Sequence, residues 1–117
     1  MRDIEFRGKE ANGSGKWRYG SLFVSGSVYR IFDEWSDWDV IPETVGQYTG
    51  LQDKDGQNIY EGDIVSVATH GWKYKVVWNT YRLAWMFSDT NNSTWLESMC
   101  SIDNFAYKVI GNIHDKK

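Results

Sequence analysis

The sequence predicts an all-β protein built from short strands and hairpins. Three observations carry this expectation. Apolar and polar residues alternate over short runs, most clearly in Trp72-Lys-Tyr-Lys-Val-Val-Trp78, the period of a half-buried strand. No long stretch shows the roughly 3.6-residue apolar period of an amphipathic helix. Aromatic content is high, with seven Trp, seven Tyr and five Phe in 117 residues, and flat or β-branched side chains suit a pleated surface.

Taken in order, Ile4 and Phe6 alternate with Asp3, Glu5 and Arg7, which predicts a first strand. Residues 8–16 hold three glycines among polar residues and read as a loop. Trp17 to Val24 and Val28 to Phe32 flank Ser25-Gly26-Ser27, the pattern of a hairpin with glycine at its tip. Pro42 biases Ile41 towards an extended backbone and disfavours a central strand position. Val45 to Leu51 and Gln57 to Tyr60 read as two strands joined by Asp53-Lys54-Asp55-Gly56, a type I turn ending in a left-handed glycine. Gly62 marks a second bend, then Ile64 to Ala68 runs extended and His70-Gly71 turns again. Trp72, Tyr74, Val76 and Trp78 share one face of the next strand, opposite Lys73, Lys75 and Val77. Leu83, Trp85 and Phe87 share a face of the following one. After a loop, Trp95-Leu96 begins a short strand, Ser101 to Phe105 resembles one helical turn, and Tyr107 to Ile113 closes the chain.

The length fits one compact protein spanning residues 1–117. Within it the order of elements predicts an N-terminal β-hairpin unit, residues 1–60, packed on a C-terminal SH3-like barrel unit, residues 61–117. From Glu61 onward that order is a bend, three meandering strands, a short strand, a helical turn and a last strand.

Composition narrows the function. The net charge is −3 and the pI is near 5.3, opposite to the usual footprint of a nucleic-acid binder, so nucleic acid is disfavoured as a partner. Cys100 is the sole cysteine and cannot form an internal disulfide, so a reducing cytoplasm is expected. No apolar run resembles a signal peptide or approaches bilayer length, so no membrane association is expected.

Between Asp33 and Glu43 lie Asp33, Glu34, Asp37, Asp39 and Glu43, with no basic residue and with Trp35 and Trp38 among them. A solvated loop is the ordinary reading of such a run. The sharper one is a docking segment for a protein partner or a stripe that mimics nucleic acid, with Trp35, Trp38, Asp37 and Asp39 as the contact residues, because tryptophan buries large area at low entropic cost. On the opposite charge, Lys73, Lys75, Arg82 and Lys108 could gather on one face and bind single-stranded nucleic acid.

The run from Pro42 through Val45-Gly-Gln-Tyr-Thr-Gly-Leu-Gln-Asp-Lys-Asp-Gly-Gln-Asn-Ile-Tyr-Glu-Gly-Asp-Ile-Val65 resembles the hallmark of the YopX family. Ile4-Glu-Phe-Arg7, Trp17-Arg-Tyr-Gly-Ser-Leu22 and Val109-Ile-Gly-Asn-Ile-His114 extend the likeness, while residues 66–106 match loosely. The resemblance implies a β-rich fold and a phage or prophage origin, and it supplies no catalytic residues. Val45, Gly46, Gln47, Tyr48, Thr49, Gly50, Asp53, Gly56, Tyr60, Gly62 and Asp63 are the motif positions, expected to serve the fold. Whether Thr44, Gln47, Tyr48 and Thr49 also form a surface site is open at this level.

Catalytic and metal readings are thin. If Gly56 took the sixth place of a calcium loop, Leu51 and Gly62 would occupy the first and twelfth, and neither carries a carboxylate. Glu61-Gly62-Asp63 offers two acids without the diverging environments that acid catalysis needs. Cys100 with His70 or His114 is the one conceivable thiol–imidazole pair and lies in no local signature. No cofactor and no metal are expected. The sequence predicts a non-enzymatic phage accessory protein that binds another protein and itself in the bacterial cytoplasm. A nucleic-acid-binding module of phage replication is the alternative.

Overall fold

The computed structural model describes residues 5–67, 72–80, 84–89, 96–98 and 107–114. It is all-β, with eleven strands in antiparallel ladders and no α-helix among the described residues. None of its helices is long and apolar enough to cross a membrane. Two compact units divide the chain, Met1–Gly50 and Leu51–Lys117.

The first unit contains β1 (Phe6–Lys9), β2 (Trp17–Ser25), β3 (Val28–Phe32), β4 (Asp37–Val40), a 3-10 turn (Pro42–Thr44) and the start of β5 (Gly46–Gln52). The β2–β3 hairpin closes on Ser25 opposite Val28, with Gly26 at φ 59° in the left-handed region that glycine tolerates. Strand β2 changes partner midway. Trp17 to Gly20 pair with β1, and Ser21 to Ser25 pair with β3. Gly20 stands at the change, where an added Cβ would collide with the Phe32 carbonyl. β4 completes a meander with β3, and Val40 also bridges Glu10 just beyond β1. There Ala11 N–H donates to the Asp39 carbonyl and Ile41 N–H to the Lys9 carbonyl, each at 2.9 Å. Thr44 locks the 3-10 turn against β1, its hydroxyl donating to the Ile41 carbonyl at 2.6 Å and accepting from Lys9 N–H at 2.9 Å. Its buried position makes it a fold determinant.

The second unit contains the end of β5, β6 (Asn58–Tyr60), β7 (Asp63–Val67), β8 (Trp72–Asn79), β9 (Ala84–Asp89), β10 (Leu96–Ser98) and β11 (Tyr107–Asn112). The last five form a sheet in the order β10-β9-β8-β7-β11. Alternation along β8 sends Tyr74 and Val76 into a core with Ile59, Val65, Phe87, Tyr107 and Val109, and leaves Lys73 exposed. Phe87 stacks on Tyr74 and meets Tyr107 edge-on, with ring centroids 5.7 and 5.2 Å apart. Strand β11 shifts register between Val109 and Gly111, which leaves Ile110 exposed.

One expectation changes here. Neither sheet closes on itself among the described residues: β10 and β11 end the five-stranded order, and a barrel needs its terminal strands to pair. Residues 51–60, assigned by sequence to the N-terminal unit, fall within the second. Their placement has a physical cause, since Ile59 is fully buried in that unit's core and Leu51 packs against it. The expected helical turn at Ser101 to Phe105 lies outside the described residues.

The glycine-marked run from Val45 to Asp63 is largely folding chemistry. Asp53 is 3% exposed, and its carboxylate accepts three backbone N–H groups, from Asp55 and Gln57 on Oδ1 and from Val109 on Oδ2, each at 2.9 Å. Two of these bonds shape the β5–β6 turn, in which Gly56 takes φ 81°. The third ties that turn to β11, beside a bond from Lys54 N–H to the Tyr107 carbonyl. Asp63, also buried, accepts the Tyr60 N–H at 2.8 Å. Gly62, at φ 90°, donates its N–H to the Val76 carbonyl and accepts Ile113 N–H, both at 2.9 Å.

Burial alone would push the Asp53 pKa up. The N–H donors of Val109, Gln57 and Asp55, with Lys108 nearby, outweigh it and hold the group below its ordinary value. A depressed native pKa stabilises the fold above the unfolded value, and that contribution is lost as pH falls through the native one. Asp53→Ala, which leaves the Val109 N–H unsatisfied, should lower unfolding free energy at neutral pH by about 3 kcal/mol. Urea titrations should show the wild type weakening below about pH 4, with Asp53→Asn changing less over the same range.

Candidate partner-binding face

The β2–β3–β4 meander has two unlike faces. Cross-strand rows Leu22–Ile31–Trp38 and Val24–Tyr29–Val40 carry the buried Ile31 and Val40. The opposite face carries Ser21–Phe32–Asp37, Phe23–Arg30–Asp39 and Ser25–Val28. Phe23, Val28 and Phe32 there are 53%, 48% and 41% exposed. Three large apolar side chains in adjoining rows make a patch, unlike apolar residues scattered singly over a surface.

Arg30 sits at the centre of this face. Its Nε and Nη2 donate to Asp37 Oδ2 at 3.1 and 2.6 Å, and its Nη1 donates to Asp39 Oδ1 at 2.5 Å. The hydrogen bond to Asp37 raises the Arg30 pKa above its ordinary value. Both carboxylates are more open than the guanidinium they hold, at 55% and 59% side-chain exposure against 36%. Exposed pairs of this kind add little to stability, because water and salt screen them. Their effect is to fix the positions of charge along the β4 side.

The β3–β4 turn presents the most exposed aromatic among the described residues. Asp33 Oδ1 accepts the N–H groups of Trp35 and Ser36 at 2.8 and 2.9 Å, and Asp33 N–H donates to the Ser36 carbonyl. These bonds lower the Asp33 pKa and stabilise a turn whose outermost side chain, Trp35, is 87% exposed.

Trp38 behaves differently. It lies on the inner face, half-buried, under the Arg18 guanidinium at 4.3 Å. Arg18 pairs with Glu10 at 3.2 Å, and Glu10 also accepts from Asn12 Nδ2 and Ser14 Oγ. Glu10, Ala11, Asn12, Asp37, Trp38 and Asp39 line a concavity of about 410 Å³. Small-molecule sites are mostly apolar with a few convergent polar groups. This one has carboxylates already held by Arg18 and Arg30, which suits the edge of a protein contact better than an enclosed ligand.

The four contact residues proposed from sequence therefore separate. Trp35, Asp37 and Asp39 are exposed, whereas Trp38 packs inward. Sequence reasoning missed Phe23, Val28, Phe32 and Arg30. Their signal was the alternation within the β2–β3 hairpin, obscured because Phe23 and Val24 are adjacent and both apolar. It also missed β4 inside the acidic run.

Other sequence candidates resolve individually. Cys100, His70 and Arg82 lie outside the described residues. His114 is half-buried beside Gly62, its Nε2 3.7 Å from where a Cβ on that glycine would stand. Among the described residues no cluster of His, Cys, Asp or Glu is arranged to hold a metal. Lys108, Ser66 and Lys73 form one cross-strand row, with Lys75 on the same face. Lys108 lies 3.7 Å from Asp55. Gly46 and Thr49 are buried, Gln47, Tyr48 and Val45 half-buried, and Gly50 takes φ 86°.

The different roles of the two tryptophans are measurable. Trp35→Ala should leave the unfolding midpoint nearly unchanged, within about 0.5 kcal/mol. Trp38→Ala should cost about 2 kcal/mol, from lost packing and from Arg18 losing its indole. Thermal denaturation of the single variants checks both values.

Comparison with curated proteins finds no match. The model of the family described as YopX protein matches residues 5–116, nearly the whole chain, including the Asp53 turn and the β2–β4 meander. The chain belongs to the YopX family.

Proposed function

We propose that this protein acts by binding another protein and is not an enzyme. One observation carries the reading: Phe23, Val28 and Phe32 are exposed together on one sheet face, beside a turn that holds Trp35 out to solvent. Aromatic side chains on a rigid sheet lose little entropy when they dock, the property of interface hot spots. The absence of catalysis is supported by how the buried acids are used. Asp53 and Asp63 each accept backbone N–H groups, so their carboxylates serve the fold. In this reading the chain is a phage or prophage accessory protein of the bacterial host cytoplasm that also associates with itself. The return of the last strand, β11, beside β7, the first strand of the meander, supports an SH3-like connectivity for the second unit.

A second reading rests on the row Lys108–Ser66–Lys73 with Lys75 beside it. Such a row suits a phosphate backbone, and supports a single-stranded nucleic-acid-binding module. Ser66, Ile64 and Val77 share that face with the lysines, so among its described residues no aromatic ring offers a base a stacking surface. Protein binding is the better-supported reading.

Affinity capture from induced host cells, compared between wild type and a Phe23→Ser/Phe32→Ser variant, tests the proposal. Both side chains are exposed, so the variant should remain folded by circular dichroism. We expect a partner retained by wild type and lost by the variant, and light scattering that shows self-association. A monomer that captures the same proteins with and without the two phenylalanines contradicts it. Titration with labelled single-stranded DNA at low salt, with Lys73→Ser/Lys108→Ser as control, decides the second reading.

A further inference from the structure

We infer that the occupant of the β2–β3–β4 face is a cationic, amphipathic segment of another protein. It would bring lysine or arginine to β4 and apolar side chains to Phe23 and Phe32. This assignment rests on the protein-binding reading and narrows it to one chemistry.

The argument is charge complementarity on a patterned surface. The apolar side chains stand on β2 and β3, and the acids stand on β4 directly opposite, Asp37 across from Phe32 and Asp39 across from Arg30. Arg30 is the sole basic residue between Val28 and Val45, whereas Asp33, Glu34, Asp37, Asp39 and Glu43 are acidic. Arg30 takes only Oδ2 of Asp37 and Oδ1 of Asp39. The other oxygen of each carboxylate remains to accept from a partner, two residues apart along the strand and so roughly 7 Å apart. A charge-assisted bond to an incoming guanidinium or ammonium there is stronger than one between neutral groups.

Other occupants fit less well. A second copy would bring the same acids with one Arg30 per copy, so face-to-face pairing would bury excess negative charge. A nucleic acid or an acidic peptide would be repelled along β4. Hydrophobic contact supplies affinity over Phe23, Val28 and Phe32, and the acid row selects the sign of the partner's charge.

The test is amide chemical-shift mapping on the full isotope-labelled chain. The probes are a peptide alternating lysine and leucine, a peptide alternating glutamate and leucine, and a dilution series without peptide. We expect the lysine–leucine peptide to shift amides in β2, β3, β4 and the Trp35 turn. Phe23→Ser/Phe32→Ser and Asp37→Asn/Asp39→Asn should each weaken that binding about tenfold. The glutamate–leucine peptide should leave the face unperturbed. Equal binding of both peptides there overturns the cationic assignment and leaves the protein-binding reading standing. Concentration-dependent shifts of the face without peptide overturn it in favour of a second copy. If no probe and no dilution step perturbs the face, both the assignment and the reading beneath it fall.

Discussion

The Asp53 carboxylate is the interaction on which the second unit depends. One side chain of three heavy atoms beyond Cβ satisfies three backbone donors, two within the β5–β6 turn and one on β11. Those donors come from segments far apart in sequence, Val109 lying 56 residues from Asp53. A buried N–H without a partner costs about 1–3 kcal/mol, so one acid both shapes the hairpin and fixes the last strand's register beside it. This explains how an aspartate at the start of a turn serves the fold. Asp63, Gly62 and Gly56 extend the same logic: Asp63 accepts the Tyr60 N–H, and the two glycines take a positive φ that residues with a Cβ disfavour.

The two units bury different chemistry. The second has an aliphatic and aromatic core in which Tyr74, Phe87 and Tyr107 interlock. The first buries Ile31 and Val40 beside the polar Arg7, Glu10 and Thr44. The Arg7 guanidinium and the Lys9 ammonium lie over the Trp17 ring at 4.6 and 5.4 Å, and Trp38 lies beneath Arg18. Cations over indoles let a thin sheet sequester aromatic surface without a second apolar layer. The part of the meander that carries Phe23, Val28 and Phe32 stays open, and there the exposed phenylalanines meet the row of acids on β4. The proposed contact draws on that exposed face, while in the second unit Asp53 and Asp63 are occupied by backbone N–H groups.

Much of this was legible in the sequence, and the limits are physical. Glycine chemistry located the hairpin tip at Gly26 and the turn at Gly56, because a left-handed backbone admits few other residues. Alternation separated Tyr74 and Val76 from Lys73. The strand Asp37–Val40 was hidden because its outward residues are acids and its inward ones a tryptophan and a valine, so composition resembled a solvated loop. Its strand character comes from partners on two sides, Tyr29 to Phe32 and the Glu10 bridge, which local pattern does not encode. The burial of Trp38 and the exposure of Trp35 were equally out of reach, since the first depends on where Arg18 lies across the sheet and the second on the turn that Asp33 holds. The division of the two units at Gly50–Leu51 has a related cause. The Asp53 turn reads as local, and its bond to Val109 is not.

Amide hydrogen exchange on the intact protein tests the central claim most directly. If the Asp53 carboxylate holds the second unit together, the Val109 and Gln57 amides should open only with the Tyr74–Val76 core, with similar protection. In Asp53→Ser, whose side chain is too short to span turn and strand, the Val109 amide should lose that protection first. Val109 and Gln57 amides that exchange freely in the wild type while the β8 and β9 amides remain slow would contradict the account.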